Sequence, residues 1–462
     1  MATEFRLLLR SRLTLAGLMI LFAAAALALW LGHAEMQRQH AEIDRAAALQ
    51  AEQRAHLGYA AQDDVAAGSV GYYNFHEVED PPGPWSFLAV GNRQVMPPVQ
   101  RIRLLGLEAQ LYEGESRNPE RAVAGAFDFA FVVVFLLPLL AIALAHDLLP
   151  GERERGRLGL LQSLARAESA FWNQRLLARL LLVFASVSLP LVAATLILQR
   201  PVTLLLALLV GIGLYTTFWT ALAGWIGLRW RNLSSAASAM ILLSIWVTLV
   251  LIAPTFANAV LARSADADLG GEIALEHRRK VNDAWDLPKS ATFEPFFESY
   301  PEWRDTAPVT GRFHWKWYYA FHHVADEHVA PKVARYRDAL AQRAQATRLL
   351  GIVLPSVAMQ NLFDGLADNG IDRVLAQRSA IRDFHTRLRH HFYPYLFDDL
   401  PFDRAAYAAM PAFEPPQRAP RLDALAWIGL GVSVLLVLFW LARTPQDRAR
   451  AKRAAGVRRT LS

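Results

Sequence analysis

The chain has 462 residues, 54% of them hydrophobic and 19% charged, with 48 basic against 42 acidic side chains. That composition excludes a disordered polar chain, and the net charge of +6 is a mild excess whose location matters more than its size. Cysteine is absent, which removes disulfides, zinc-thiolate and iron-sulfur sites and thiol catalysis.

The apolar residues are gathered into uncharged runs: Leu13 to Leu31, Phe129 to Ala145, Leu180 to Gln199, Pro201 to Leu228, Asn232 to Ala262 and Ala424 to Ala442. A helix rises about 1.5 Å per residue, so about 20 residues cross the hydrocarbon layer of a membrane. Six membrane-spanning helices are therefore predicted. The first run is too long for the core of a cleaved signal peptide and continues into a charged helix-forming stretch from Glu35, so it reads as an uncleaved anchor.

Orientation follows from basic residues near the spans. Arg6, Arg10 and Arg12 precede the first. Arg153, Arg155, Arg157, Arg166, Arg175 and Arg179 follow the second, Arg229 and Arg231 follow the fourth, and the tail from Arg443 to Arg459 is basic. A six-span alternation puts all four on one side, so both termini are expected in the cytoplasm of a cell whose inner membrane holds the chain. The basic tail reads as a topology signal beside anionic lipid rather than a nucleic-acid site.

The expected fold class is an all-α polytopic membrane protein with two extracytoplasmic insertions, the first mixed α/β and the second mainly α. The layout is an N-terminus and first span at 1–32, a first external domain at 33–122 and a second span at 123–149. A cytoplasmic helix at 150–175 and spans three to five at 176–262 come next. A second external domain at 263–422, a sixth span at 423–443 and a tail at 444–462 complete it. In the first insertion, turns and short extended pieces are expected after Gly58; in the second, helices over Trp315 to Leu349, Leu362 to Ala376 and Arg378 to Phe392.

Between spans two and three, Gly156, Leu160, Leu164, Ala167 and Phe171 recur at helical spacing, predicting one short amphipathic helix with an apolar stripe. The segment Glu152-Arg153-Glu154-Arg155-Gly156, followed by Leu158, Leu160 and Leu161, resembles the cytoplasmic loop of type-2 ABC (ABC-2) permeases. The likeness extends to Gly125 to Leu140. Leu354 to Leu362 and Ile381 to Phe397 are similar to a subgroup with large exported loops associated with multicopper-enzyme maturation. Arg157 stands where that family usually has threonine.

The resemblance implies a permease subunit, an exporter, that pairs with a second permease chain and is driven by a separate ABC ATPase carrying ATP and magnesium. The implied coupling residues are Glu152, Glu154, Gly156, Leu160, Leu161, Leu164 and Phe171. The competing expectation is a membrane-anchored assembly protein that presents metal or holds an envelope enzyme through its exported domains.

Other chemistry is weakly signalled. Gly151 and Gly156 have the glycine spacing of a phosphate loop, but Arg157 and Leu158 replace its lysine and hydroxyl residue, so no cofactor is expected on this chain and no catalytic residue is assigned. His322, His323 and His328 are weak metal-ligand candidates, because helical spacing does not bring all three to one face. Ser86 and Ser356 lack a nucleophile elbow. Asp128, His146 and Asp147 read as residues at the ends of span two, and Pro138, Pro190 and Pro254 as kinks.

Overall fold

The computed structural model describes residues 2–60, 66–94, 96–113, 127–164, 168–230, 232–264 and 269–459. Six helices among them are long and apolar enough to cross a membrane: Arg12–His56, Phe129–Glu154, Ala170–Ile197, Val202–Arg229, Ser235–Ala262 and Ala424–Ala442. The architecture is that of a mainly helical polytopic membrane protein. The second span is the most enclosed by its neighbours, with 56% of its apolar window buried, and the fifth is the least, at 17%. The second is thus the centre of the bundle. Large apolar side chains such as Met240, Phe256, Leu435 and Trp440 remain uncovered, as lipid or another chain would require.

Two spans carry π-helical turns next to a proline. Val132–Leu136 is π-helical and Pro138 follows it; Val247–Ile252 is π-helical and Pro254 follows it. Proline has no N–H to return to the preceding turn, which leaves carbonyls unpaired where water is scarce. Side chains from other elements fill the gap. The Tyr215 hydroxyl donates to the Val134 carbonyl at 2.9 Å, and the Ser356 hydroxyl donates to the Leu249 carbonyl at 2.8 Å.

The first span runs without interruption into a helix of 49 residues, Arg12–Ala60. Beyond it come a short helix, Ala67–Tyr73, and two strands, β1 (His76–Glu79) and β2 (Val99–Ile102), paired antiparallel with His76 opposite Ile102. The segment between spans five and six is built from Leu269–Asp283, Ser290–Ser299, Trp315–Val353, Pro355–Ala367 and Ile371–Phe397. The helix boundary expected after Ala376 falls earlier, at Asp368, which takes a left-handed conformation (φ 50°). Extended Leu354 before Pro355 starts the shorter helix.

The two segments expected as separate domains pack together. One hydrophobic core takes Val78, Ile102, Leu104 and Tyr112 from the first segment together with Phe296, Tyr319, Phe384 and Phe392 from the second. Each large apolar side chain buried this way contributes about 1.5–3 kcal/mol, and neither segment encloses these residues by itself. Polar joints reinforce the union. Asp80 accepts from Arg93 at 3.0 Å, Arg373 at 2.5 Å and Arg418 at 2.7 Å, and Arg93 also reaches Gln39 of the first helix at 2.7 Å.

The second segment also enters the core of the spans. Ala358, Met359, Leu362 and Phe363 are buried with Val134, Ile212 and Leu430, and Trp85 and Phe87 of the first segment join them. A Cβ on Gly429 of the sixth span would lie 2.0 Å from the carbonyl oxygen of Gly351, so only glycine permits this approach of two helices.

Candidate functional site: the loop between the second and third spans

Over this loop the described residues form three helical pieces, the first of them set apart from the amphipathic helix that was expected to include it. Pro150–Glu154 forms one turn, Leu158–Leu164 a second helix, and Glu168–Ile197 the helix of the third span. The break has a local cause: Gly156 adopts φ +70°, a conformation that ends a helix and is easy only for glycine. The first member of the stripe, Gly156, therefore stands outside the helix that carries Leu160. Leu160 projects from the second piece and is 63% exposed, and Leu161 is half-buried. The side chains of Leu164, Arg166 and Ala167 lie outside the described residues.

Phe171 has a different role from the one its spacing suggests. It is half-buried in a small inner core with Leu148, Leu149, Trp172 and Leu176, and the Arg175 guanidinium stands 5.6 Å from its ring centre. It belongs to the mount, and Leu160 to the projecting ridge.

Glu152 is the centre of that mount. It is 7% exposed and pairs with Arg157 at 2.9 Å and Arg175 at 3.0 Å. Arg175 also meets Glu4 of the N-terminal helix at 3.3 Å, and Arg179 donates to the Leu144 carbonyl at 2.7 Å. Glu154 accepts from the Ser235 amide at 2.8 Å and Arg153 donates to the Leu233 carbonyl at 2.8 Å, so both hold the start of the fifth span. Arg155 pairs with Asp147 at 3.2 Å. The loop is thus bonded to the N-terminal helix and to spans two, three and five. Buried charges held by several partners keep one geometry, because losing any partner strands a charge.

The sequence marks these arginines as topology signals and Asp147 as an end residue of span two, and nothing in it joins them to Glu152 or assigns a role to Glu4. A signal existed: Glu4 is the lone acid before the first span, among Arg6, Arg10 and Arg12.

The histidines do not converge. His322 is buried with neither ring nitrogen partnered. His323 pairs with Glu327 at 3.1 Å and contacts Arg389 at 2.9 Å, while exposed His328 pairs with Glu276 at 3.0 Å. No group of three or more metal-ligand side chains is found among the described residues. Ser86 donates to the Ala367 carbonyl at 3.2 Å. Asp128 caps the second span by accepting from Phe131 at 2.8 Å and also accepts from Val90 at 2.9 Å, a structural joint between that span and the segment that precedes it.

Residues 271–416 match a protein family described as a domain of unknown function, DUF3526. This stretch covers most of the segment between the fifth and sixth spans. Neither a curated protein nor a solved structure matches the chain.

Proposed function

We propose that the chain is the membrane-spanning permease subunit of an ABC transporter of the ABC-2 type, an exporter driven by a separate ATPase. In this reading it sits in the inner membrane with both termini in the cytoplasm and the segments 33–122 and 263–422 outside. It acts with a second permease chain across the uncovered span faces.

One observation carries the reading. The Leu158–Leu164 helix presents exposed Leu160 from a loop whose buried Glu152 is held by Arg157 and Arg175. A projecting apolar residue on a rigid base is what a docking partner needs to transmit force. A partner that pushed on this helix would load spans two, three and five together, through Glu154, Arg153 and the Arg175–Glu4 pair. Such a partner can drive a conformational change only by binding one state more tightly than the other.

The test is purification of the full chain in mild detergent from its native host, asking whether an ATPase with a phosphate loop and no membrane span accompanies it. Leu160→Asp, an exposed substitution that leaves the mount intact, is expected to remove that ATPase without lowering the yield of folded protein. Retention of the ATPase by this variant would overturn the role of the helix, and its absence from the wild-type preparation would overturn the transporter reading.

A further inference from the structure

Between the π-helical turns of spans two and five and the buried Pro355–Ala367 helix lies a cavity of about 220 Å³. Its inner wall is apolar, made by Val134, Phe135, Val250 and Leu350; its outer end is polar, with Asn258, Thr347, Asn361 and Asp364. These four outer residues also line a wider cavity of about 710 Å³ that opens between the two insertions, so the two spaces adjoin. π-turns inside α-helices recur at functional sites because they unwind the wall just enough to make room.

Asp364 is the distinctive group. One carboxylate oxygen accepts from Gln360 at 3.0 Å, and among the described residues no lysine, arginine or histidine pairs with it. Of the other acids at the wider opening, Asp372 meets Arg348 at 2.6 Å and Arg421 at 3.6 Å and Asp368 meets Arg418 at 3.7 Å; Asp423 caps the sixth helix through one oxygen, accepting from Leu425 at 2.9 Å, and its other oxygen is buried without a partner, but it stands outside the smaller cavity. Burial pushes the Asp364 carboxyl up to about 7, with the negative charge of Asp128 adding to the effect. Without a cation beside it, ionised Asp364 is costly against an apolar wall.

We infer that this cavity binds an organic monocation, a protonated amine carried on a small apolar body, with the amine on Asp364 and the body against Val134, Phe135 and Val250. An inorganic cation would require several oxygen ligands, whereas the inner wall is hydrocarbon and the Asn258 amide oxygen is already taken by Arg343 at 2.7 Å. An anion of the same shape would meet Asp364 as a like charge. The chemistry is shared by free lipophilic amines and by lipids with an amine headgroup. Calling the ligand cargo rests on the transporter reading; its binding does not.

The experiment uses the full chain in nanodiscs of phosphatidylcholine and measures equilibrium binding of 4-phenylbutylamine, 4-phenylbutanol and 4-phenylbutanoate, one body with cationic, neutral and anionic heads. The amine is expected to bind about tenfold more tightly than the alcohol, and the acid more weakly still. Asp364→Asn should erase the preference for the amine while keeping the alcohol, and Asp364→Glu should retain it. Adding phosphatidylethanolamine assigns the source: competition makes the ligand a lipid amine, and its absence a free one. Equal binding of the three probes, or a preference unchanged in Asp364→Asn, would overturn the site. Loss of amine preference with an ATPase still bound removes the site alone; amine binding without any ATPase removes the transporter reading alone.

Discussion

The hydroxyl of Tyr215 donates to the main-chain carbonyl of Val134 at 2.9 Å, joining the fourth span to the second where Pro138 offers no N–H. The Ser356 bond to Leu249 does the same for the fifth span before Pro254, from outside the six spans. Removing either hydroxyl leaves a carbonyl unpaired in an apolar setting. Tyr215→Phe and Ser356→Ala are each expected to destabilise the protein by about 1 kcal/mol, read as a lowered Tm in detergent. Unchanged Tm values for both would mean that the π-turns do not depend on these hydroxyls.

Asp326 fastens the two insertions to each other. Its carboxylate accepts from the amides of Leu107 at 2.8 Å and Glu108 at 3.0 Å, pairs with His277 at 3.0 Å, and also accepts from Arg389. Burial acts to raise its pKa, but Arg389 and His277 beside it hold it below the ordinary carboxylate range. Asp326→Asn strands the Arg389 charge and should cost about 3–5 kcal/mol. Adding Arg389→Met should recover part of the loss, measured by chemical unfolding as a non-additive double-mutant cycle.

Stability should fall in acid. Burial lowers the pKa of His76, His322 and His385 from 6.5 to about 3 in each case. Between those values the unfolded chain binds protons that the folded one refuses, so stability is complete above about pH 6.5 and declines as the pH drops toward 3. The slope is up to about 1.4 kcal/mol per pH unit for each histidine. His322→Gln should make the decline shallower, followed by unfolding at a series of pH values; an identical slope would exclude His322 as a contributor.

Glu152→Gln should separate docking from coupling. It removes the charge that holds Arg157 and Arg175 and leaves Leu160 exposed as before. The expected outcome is an ATPase that still co-purifies but whose hydrolysis no longer responds to transport conditions. A fully coupled Glu152→Gln complex would mean that the mount does not carry force.

Gly429→Ala should disturb the contact between the sixth span and the Trp315–Val353 helix. The added methyl would have to displace the Gly351 backbone, at a cost of about 1–3 kcal/mol. Gly431→Ala, whose Cβ would meet nothing, is the control and should be neutral by the same thermal assay.

The six apolar runs were legible because helix length and hydrocarbon thickness are local quantities, and each run corresponds to a helix long and apolar enough to cross a membrane. The loop was half legible. Its glycine and leucines are there, but the stripe put Gly156 inside the helix, where its positive φ instead ends the preceding turn, and Phe171 packs into a small core rather than projecting. The pairs of Arg175 with Glu152 and with Glu4 were hidden because their members are distant in sequence. Asp364 carried no signal at all, since an acid on a short helix ordinarily faces water.

What the sequence determined by itself was therefore everything that depends on runs of neighbours: the number and length of the apolar helices and the positions of prolines and glycines that interrupt them. Only the tertiary structure decided that the segments 33–122 and 263–422 share one core, that Pro355–Ala367 is buried among the spans, and that Asp364 lines a cavity with no cation paired to it among the described residues. The reason is physical. Burial and charge pairing depend on which distant surfaces exclude water from each other, and that information enters only when the chain closes on itself.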